Sequence, residues 1–237
     1  MVLVLGIETS TPQSSVAIGS EQGVVASALV SRGASYNEFL LPAMRFCLDQ
    51  SGIGFRNVGA VSVSLGPGLH SGMRIGVATA KALSQALSVP IVGMASLDIL
   101  AYDVRYSSRL ICTCLDAKRG EVFYAFYRPS PGGIQRITDY RVEKPYQLAT
   151  AIQSRPEEVL LVGNGALLYR DEFEDLGPRV EIGTMSHAFP HAGSIVELAL
   201  PRIFREDFDS VYDLEPLYLR RSARRIQWER IQGSRSA

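Results

Sequence analysis

One ordered series of elements can be read twice along this chain of 237 residues, and that repetition constrains the fold more than any single motif. "LVLGIET" reads as a buried strand, and "SSVAIG" and "GVVASALVS" follow at hairpin distance with Gly23 in the turn. "SYNEFLLPAMRFCLDQSG" reads as a helix, with capping-box spacing between Ser35 and Glu38, a predicted kink at Pro42 and a stop at Gly52. Then come a strand ("VGAVSVSL"), a helix ("SGMRIGVATAKALSQALS"), a short strand ("PIVGMA") and a helix ("SLDILAYDV"). The series restarts with "RLICTCLDA", "EVFYAFYR" and "IQRITDYRVE" as three strands. The helix "PYQLATAIQS", the strand "EEVLLVG", the helix "GALLYRDEFE", a short strand "RVEIG" and the helix "AGSIVELALPRIFRED" complete it. The halves share almost no sequence, so only the order of elements is duplicated. Strand and helix alternation predicts an α/β protein of two lobes, residues 1–104 and 105–237, each with a mixed sheet and helices packed on it.

Composition excludes several classes. Hydrophobic residues make up 46% of the chain, enough for a substantial core. The apolar start "MVLVLGIETS" has no preceding basic segment and is interrupted by Glu8, so a buried first strand is expected and not a signal peptide. No apolar run approaches a membrane span. Cys47, Cys112 and Cys114 are too few for a disulfide framework. Cys112 and Cys114 alternate on one strand face as buried small hydrophobes, consistent with a cytoplasmic protein. Lys plus Arg total 24 against 24 Asp plus Glu, so the body carries no global basic field. The end of the chain is different: Arg220, Arg221, Arg224, Arg225, Arg230 and Arg235 face only Glu229. It is read either as a solvated tail or as a basic arm that meets RNA or an acidic partner.

The glycines of "SLGPGLHSGMRIGVATAKAL" satisfy neither phosphate-binding fingerprint. Gly72 is followed by Met73 and Arg74 where a P-loop needs Lys and Ser or Thr, and the spacing is G-x-G-x-x-x-G where a dinucleotide loop needs G-x-G-x-x-G. Gly72, Gly76 and Ala80 instead recur every four residues, a flat stripe suited to close helix contact. The helix with Pro42 is apolar over a wide arc, with Leu40, Met44, Cys47 and Leu48 on one side and Phe39, Ala43 and Phe46 on another. It is buried in its own fold or docked on another protein.

Two lobes that each open with a hairpin resemble the actin, hexokinase and Hsp70-like (ASKHA) group. That resemblance implies that the turns "ETSTPQSS" and "DAKRGE" would face the phosphates of a nucleotide, with Glu8 and Asp116 where such kinases carry acids for Mg²⁺. On this reading Glu8, Thr9, Ser10, Asp116, Gly163 and Gly165 would line a site for ATP or ADP, with "GNGA" as a shortened adenosine loop. The alternative assigns the acids to turn capping. His187 and His191 have H-x-x-x-H spacing, but Pro190 lies between them and no third ligand is near in sequence. They are expected to be exposed loop residues, and no metal site is expected.

"LGIETSTPQSSVAI", "GPGLHSGMRIGVATAKAL", "DAKRGEVFYAFY", "VGNGA" and "PLYLR" occur in the order found in the TsaB family, which this chain resembles from Leu3 to Arg220. TsaB proteins serve bacterial tRNA threonylcarbamoyladenosine formation. The resemblance implies a scaffold or activator without activity of its own and without an obligatory cofactor. Its implied partners are a catalytic paralogue, TsaD, and a small ATPase, TsaE. TsaD would dock on the two first-lobe helices, through Glu38, Leu40, Leu41, Met44, Cys47, Leu48, His70, Gly72, Arg74, Gly76, Ala80 and Leu83. ATP or ADP with Mg²⁺ would belong to the complex, tRNA would be reached through it, in part by the arginine tail, and the free chain would pair with a second copy. The catalytic paralogue carries H-x-x-x-H after the strand that follows the glycine helix; Ser96 and Leu100 stand at those positions here. Neither offers the imidazole of a transition-metal site. The alternative is an actin-fold ATPase or small-molecule kinase using Glu8 and Asp116. Two departures from the family pattern fall at the expected docking surface: Tyr36, Asn37 and Glu38 replace "HSE", and Leu69, His70 and Ser71 replace a Ser-Phe-Thr run.

Overall fold

A computed structural model describes residues 1–31 and 36–220. The predicted capping partner Ser35 and the arginines beyond Arg220 lie outside the described residues. The first half contains β1 (Val4–Glu8), β2 (Ser14–Ser20), β3 (Gly23–Val30), α1 (Tyr36–Ser51), β4 (Ala60–Gly66), α2 (His70–Leu87), β5 (Ile91–Ala95) and α3 (Ser96–Asp103). The second contains β6 (Leu110–Asp116), β7 (Val122–Ser130), β8 (Gly133–Arg136), β9 (Arg141–Glu143), α4 (Pro145–Gln153), β10 (Val159–Val162), α5 (Asn164–Leu168), α6 (Arg170–Glu174), β11 (Val180–Ile182) and α7 (Ala192–Phe204).

The two sheets repeat one topology. The first runs β3-β2-β1-β4-β5 and the second β8-β7-β6-β10-β11, with β9 also paired to β7. In each, a hairpin meander is extended by two parallel strands. Parallel neighbours require crossovers, and the intervening helices supply them.

Two predicted elements are divided. The strand expected over 134–143 is two strands, β8 and β9, both paired with β7. Between them the backbone of Phe126 donates to Thr138 Oγ1 at 3.0 Å and accepts from the Ile137 amide at 2.9 Å, so the chain stays tethered without continuous ladder pairing. The helix expected over 165–174 breaks at Tyr169, whose φ of −111° and ψ of 35° leave the helical region. Helix α1 continues on both sides of Pro42, which lies on its exposed side. It ends as expected at Gly52, with φ of +65°, where the Ile53 amide donates to Leu48 O and the Gly52 amide to Asp49 O.

Alternation along the strands sends side chains to two cores per sheet. In the first sheet, Leu5, Ile7, Val16, Ile18, Val61 and Val63 pack beneath α1 and α2. On the other face Val4, Ala17, Ala60 and Val92 pack against Val196, Ala199, Leu200 and Ile203 of α7. The second sheet is covered on one side by α4 to α6 and on the other by Leu97, Leu100 and Ala101 of α3. Each half therefore contributes its last helix to the sheet of the other. Cys112 and Cys114 share one buried face and are free thiols, as their alternation predicts.

This exchange predicts one cooperative unfolding unit. Leu97→Ala, which opens a cavity under the second sheet from a residue of the first half, is expected to cost about 2–5 kcal/mol in urea denaturation. Hydrogen exchange in β1 and β6 is expected to accelerate together. Acceleration confined to one sheet contradicts the prediction.

Candidate functional site

The first candidate site lies where the two hairpin turns meet. β1 ends in Glu8, which is completely buried. Its Oε1 accepts the Ser10 amide at 2.5 Å. Among the described residues its Oε2 and the buried hydroxyls of Ser10 and Ser64 make no hydrogen bond of ordinary geometry, although both hydroxyls lie close enough to moderate the carboxyl. Burial pushes the Glu8 carboxyl up to about 7, and the Asp103 carboxylate adds to the shift. Asp103, at the end of α3, is itself raised to about 6 by burial, although the Ser194 hydroxyl donates to it and His191 opposes the shift. A neutral carboxyl here keeps an ionised group out of a medium that cannot solvate it.

On the opposing turn Asp116 is engaged by Lys118. Its Oδ1 accepts the Lys118 amide at 2.8 Å and its Oδ2 lies 2.7 Å from Lys118 Nζ. The Asp116 amide donates to Asn164 Oδ1 at 3.1 Å. Gly163, with φ of +116°, and Gly165 let the start of α5 lie on the backbone of Cys114; a Cβ at Gly165 would fall 2.9 Å from Cys114 O. The gap between the turns, bounded by Ser10, Gly68, Leu69, Asp116, Lys118 and Asn164, encloses a cavity of only about 10 Å³. A bound small molecule needs several hundred cubic ångströms. Glu8, Thr9, Ser10, Asp116, Gly163 and Gly165 thus meet at the lobe junction, yet they do not fit a nucleotide with Mg²⁺. The Glu8 carboxyl is raised to about 7 by burial, Asp116 is paired with Lys118, and the glycines serve backbone packing.

The glycine helix has a different role from the one its stripe suggests. Gly72 and Gly76 face Thr9 of their own chain, and Thr9 Oγ1 donates to Gly72 O at 2.8 Å. A Cβ at Gly72 would collide with Thr9 O, and one at Gly76 with Thr9 Oγ1. The stripe therefore seats α2 on the β1–β2 turn instead of on another helix. Leu40, Met44, Cys47, Leu48 and Ala80 are likewise buried in the chain's own core. Of the twelve residues expected at a docking surface, Glu38, Leu41, His70 and Arg74 are exposed and Leu83 is half-buried.

The outward face of the helix pair can be read directly. On α1, Leu41 and Phe46 are 61% and 53% exposed, with Pro42, Arg45 and Asp49 beside them. On α2, Arg74, Ala78, Ala82 and Gln85 face solvent. Sequence reading missed Phe46, Ala78 and Ala82 as surface residues. The signal was available in helical phase, since Ala78 and Ala82 lie off the Gly72–Gly76–Ala80 stripe. His70 stacks on Tyr218, with ring centroids 5.1 Å apart, and Arg74 Nε donates to the Tyr218 hydroxyl at 3.2 Å.

The two histidines read as exposed loop residues are half-buried. His191 lies at the head of α7, its Nδ1 3.2 Å from Gln13 Nε2, and His187 Nδ1 is 3.4 Å from Thr184 Oγ1. Among the described residues no group of three or more His, Cys, Asp or Glu side chains could hold a metal ion. Ser96 and Leu100 are completely buried, and the Ser96 hydroxyl donates to Pro67 O at 2.6 Å.

Fold and junction together define a two-lobed actin-like α/β protein with a closed interlobe cleft and an open helix face. The chain belongs to the family described as TsaD, tRNA N6-adenosine threonylcarbamoyltransferase, which matches residues 17–228. Relatives matched over nearly their whole length include TsaB proteins, as the motif order implied. The chain is 28% identical over 226 residues to the tRNA threonylcarbamoyladenosine biosynthesis protein TsaB of Bacillus subtilis, covering 95% of this chain and 97% of that one. It is similar to the solved structure of YeaZ from Pseudomonas aeruginosa, with 26% identity, a TM-score of 0.80 and coverage of 92% of this chain and 100% of that one. It also matches the tRNA N6-adenosine threonylcarbamoyltransferase of Nitrosospira multiformis at 33% identity, over 41% of this chain and 33% of that one.

Two outcomes check these placements. Gly76→Arg is expected to unfold the chain, whereas Arg74→Ala leaves its melting temperature unchanged; a folded Gly76→Arg protein contradicts the packing role. The carboxyls of Glu8 and Asp103 are raised from ordinary values of 4.5 and 3.8 to about 7 and about 6. The native state therefore holds more protons than the unfolded state between about pH 4 and 7. Their contribution makes stability fall as pH rises through that window, each by at most about 1.4 kcal/mol per pH unit. Glu8→Gln is expected to flatten this fall in urea titrations, and an unchanged slope contradicts it.

Proposed function

We propose that this protein is the TsaB-type partner subunit of a tRNA threonylcarbamoyladenosine synthase and that it contributes a docking surface rather than reacting groups. On this reading a TsaD-type catalytic paralogue binds the outward face of α1 and α2. Transfer of a threonylcarbamoyl group to N6 of the adenosine beside the anticodon then takes place on that paralogue, with a TsaE-type ATPase assisting. The single observation that carries the reading is the fate of the two positions where the catalytic branch has imidazoles. Ser96 is tied to Pro67 O and Leu100 is buried under the second sheet, so this branch uses them for packing.

The chemistry of the outward face supports docking. Leu41 and Phe46 are apolar anchors on α1, while Ala78 and Ala82 leave α2 without long side chains over one helical turn. A neighbouring helix can approach such a surface closely, with Arg74 and His70 at its rim. The same face would pair two copies of the chain in the absence of the paralogue. ATP or ADP with Mg²⁺ belongs to the complex, tRNA is reached through it, and the setting is the cytoplasm.

The test is complex formation with the TsaD-type protein of the same organism, measured by calorimetry. Leu41→Glu with Phe46→Glu is expected to abolish binding while the melting temperature stays near wild type. Retained binding in that folded variant moves the docking surface elsewhere.

A further inference from the structure

The segment after α7 crosses from one lobe to the other, and no function above uses it. Asp209 Oδ2 accepts the Gly93 amide at 2.7 Å and Arg202 donates to the same carboxylate, fixing the start of the segment on β5. Leu214 is buried over Gly93 and Leu65, and Lys81 of α2 donates to Tyr212 O and Leu214 O at 3.2 and 3.3 Å. The Leu217 amide donates to Leu65 O at 2.7 Å. Apart from Arg202 of α7, a helix that itself packs on the first sheet, every anchor up to this point lies in the first lobe.

The next three residues span the junction. Tyr218 rests on His70 and Arg74 at the exposed start of α2. Leu219 packs into the core between α3 and the second sheet. Arg220 donates to Ala117 O at 3.1 Å and to Lys118 O at 3.3 Å, and it pairs with Glu121. These contacts hold the β6–β7 turn, where Lys118 and Arg119 both have a positive φ, 61° and 60°, though neither is glycine. Each such residue costs of order 1 kcal/mol and persists only when its surroundings impose it. The turn they hold forms one wall of the narrow gap between the lobes.

We propose that residues 214–220 are a latch that couples the exposed start of α2 to closure of the interlobe cleft. Tyr218 and Arg220 flank Leu219 on a short segment pinned at Leu217, so displacing Tyr218 from His70 and Arg74 pulls the half-buried Leu219 from its seat and withdraws Arg220 from the turn. The turn then loses the carbonyl and carboxylate contacts that hold its left-handed residues, and the cleft opens. A protein that engages His70 and Arg74 competes with Tyr218 for the same groups. To that extent the regulatory consequence rests on the docking face proposed above, whereas the latch itself is a property of the isolated chain.

The experiment is hydrogen exchange by mass spectrometry on the isolated full chain, comparing wild type, Tyr218→Ala, Tyr218→Phe and Arg220→Ala. The readout is the peptide spanning Leu115 to Val122, with β1 and β6 as controls for global stability. Arg220→Ala is expected to accelerate exchange in the turn by roughly tenfold or more, the scale of losing charge-assisted hydrogen bonds. Tyr218→Ala, which touches no residue of the turn, is expected to accelerate it similarly, and Tyr218→Phe less, because it keeps the stack on His70. Wild-type exchange in the turn of Tyr218→Ala overturns the coupling, and wild-type exchange in Arg220→Ala overturns the latch. Because no partner is present, failure here leaves the docking proposal to be judged by its own binding measurement.

Discussion

The structure depends on the seating of α2 on the β1–β2 turn. Gly72 and Gly76 place the helix so near Thr9 that a side chain at either position has no room, and the Thr9 hydroxyl closes the contact by donating to Gly72 O. Three consequences follow from that one approach. The helix turns its Ala78 and Ala82 side outward, its first residues meet Tyr218, and the Ser10 turn beside Thr9 faces the second lobe across a narrow gap. Such close packing leaves little latitude, because interiors at this density transmit small displacements instead of absorbing them.

The lobes are duplicated in topology but not in chemistry. Glu8 and Asp116 occupy equivalent hairpin ends, yet one is fully buried with its carboxyl raised to about 7 and the other is paired with the Lys118 ammonium. Exchange of the last helix between the halves makes each sheet depend on the other half for one of its covers. The two halves are joined by these shared covers and by the contacts of residues 209–220 with both of them. A partner subunit benefits from such rigidity, since a fixed helix face loses little conformational entropy on docking.

Much of this was legible in the sequence, for identifiable reasons. Period-two and helical patterning gave the order of elements, and the turn glycines Gly23 and Gly52 both lie at the ends they mark. The family emerged from motif order across the whole chain. What patterning could not supply was the partner of each surface. A stripe such as Gly72–Gly76–Ala80 says that something approaches closely, but not whether it is a helix of another chain or a turn of the same one. The arc of α1 had the same ambiguity, since Leu40, Met44 and Cys47 are no more apolar than Leu41 and Phe46. Only the path of the sheet beneath decides between them. The motif "PLYLR" was legible as a family feature, but not its role, because many of the acceptors that fix residues 209–220 are backbone carbonyls distant in sequence, which leave no trace in residue type.

The central claim is that this chain acts through its surface and not through its own cleft. The most direct measurement is transfer of threonylcarbamoyl to tRNA by purified proteins, assayed with the chain alone and with increasing amounts of it added to a fixed quantity of the TsaD-type subunit and the ATPase. No transfer by the chain alone, and transfer that rises with added chain to saturation near equimolar ratio, is the expected result. Transfer by the chain alone, or transfer by the other components that is indifferent to its addition, would contradict the account.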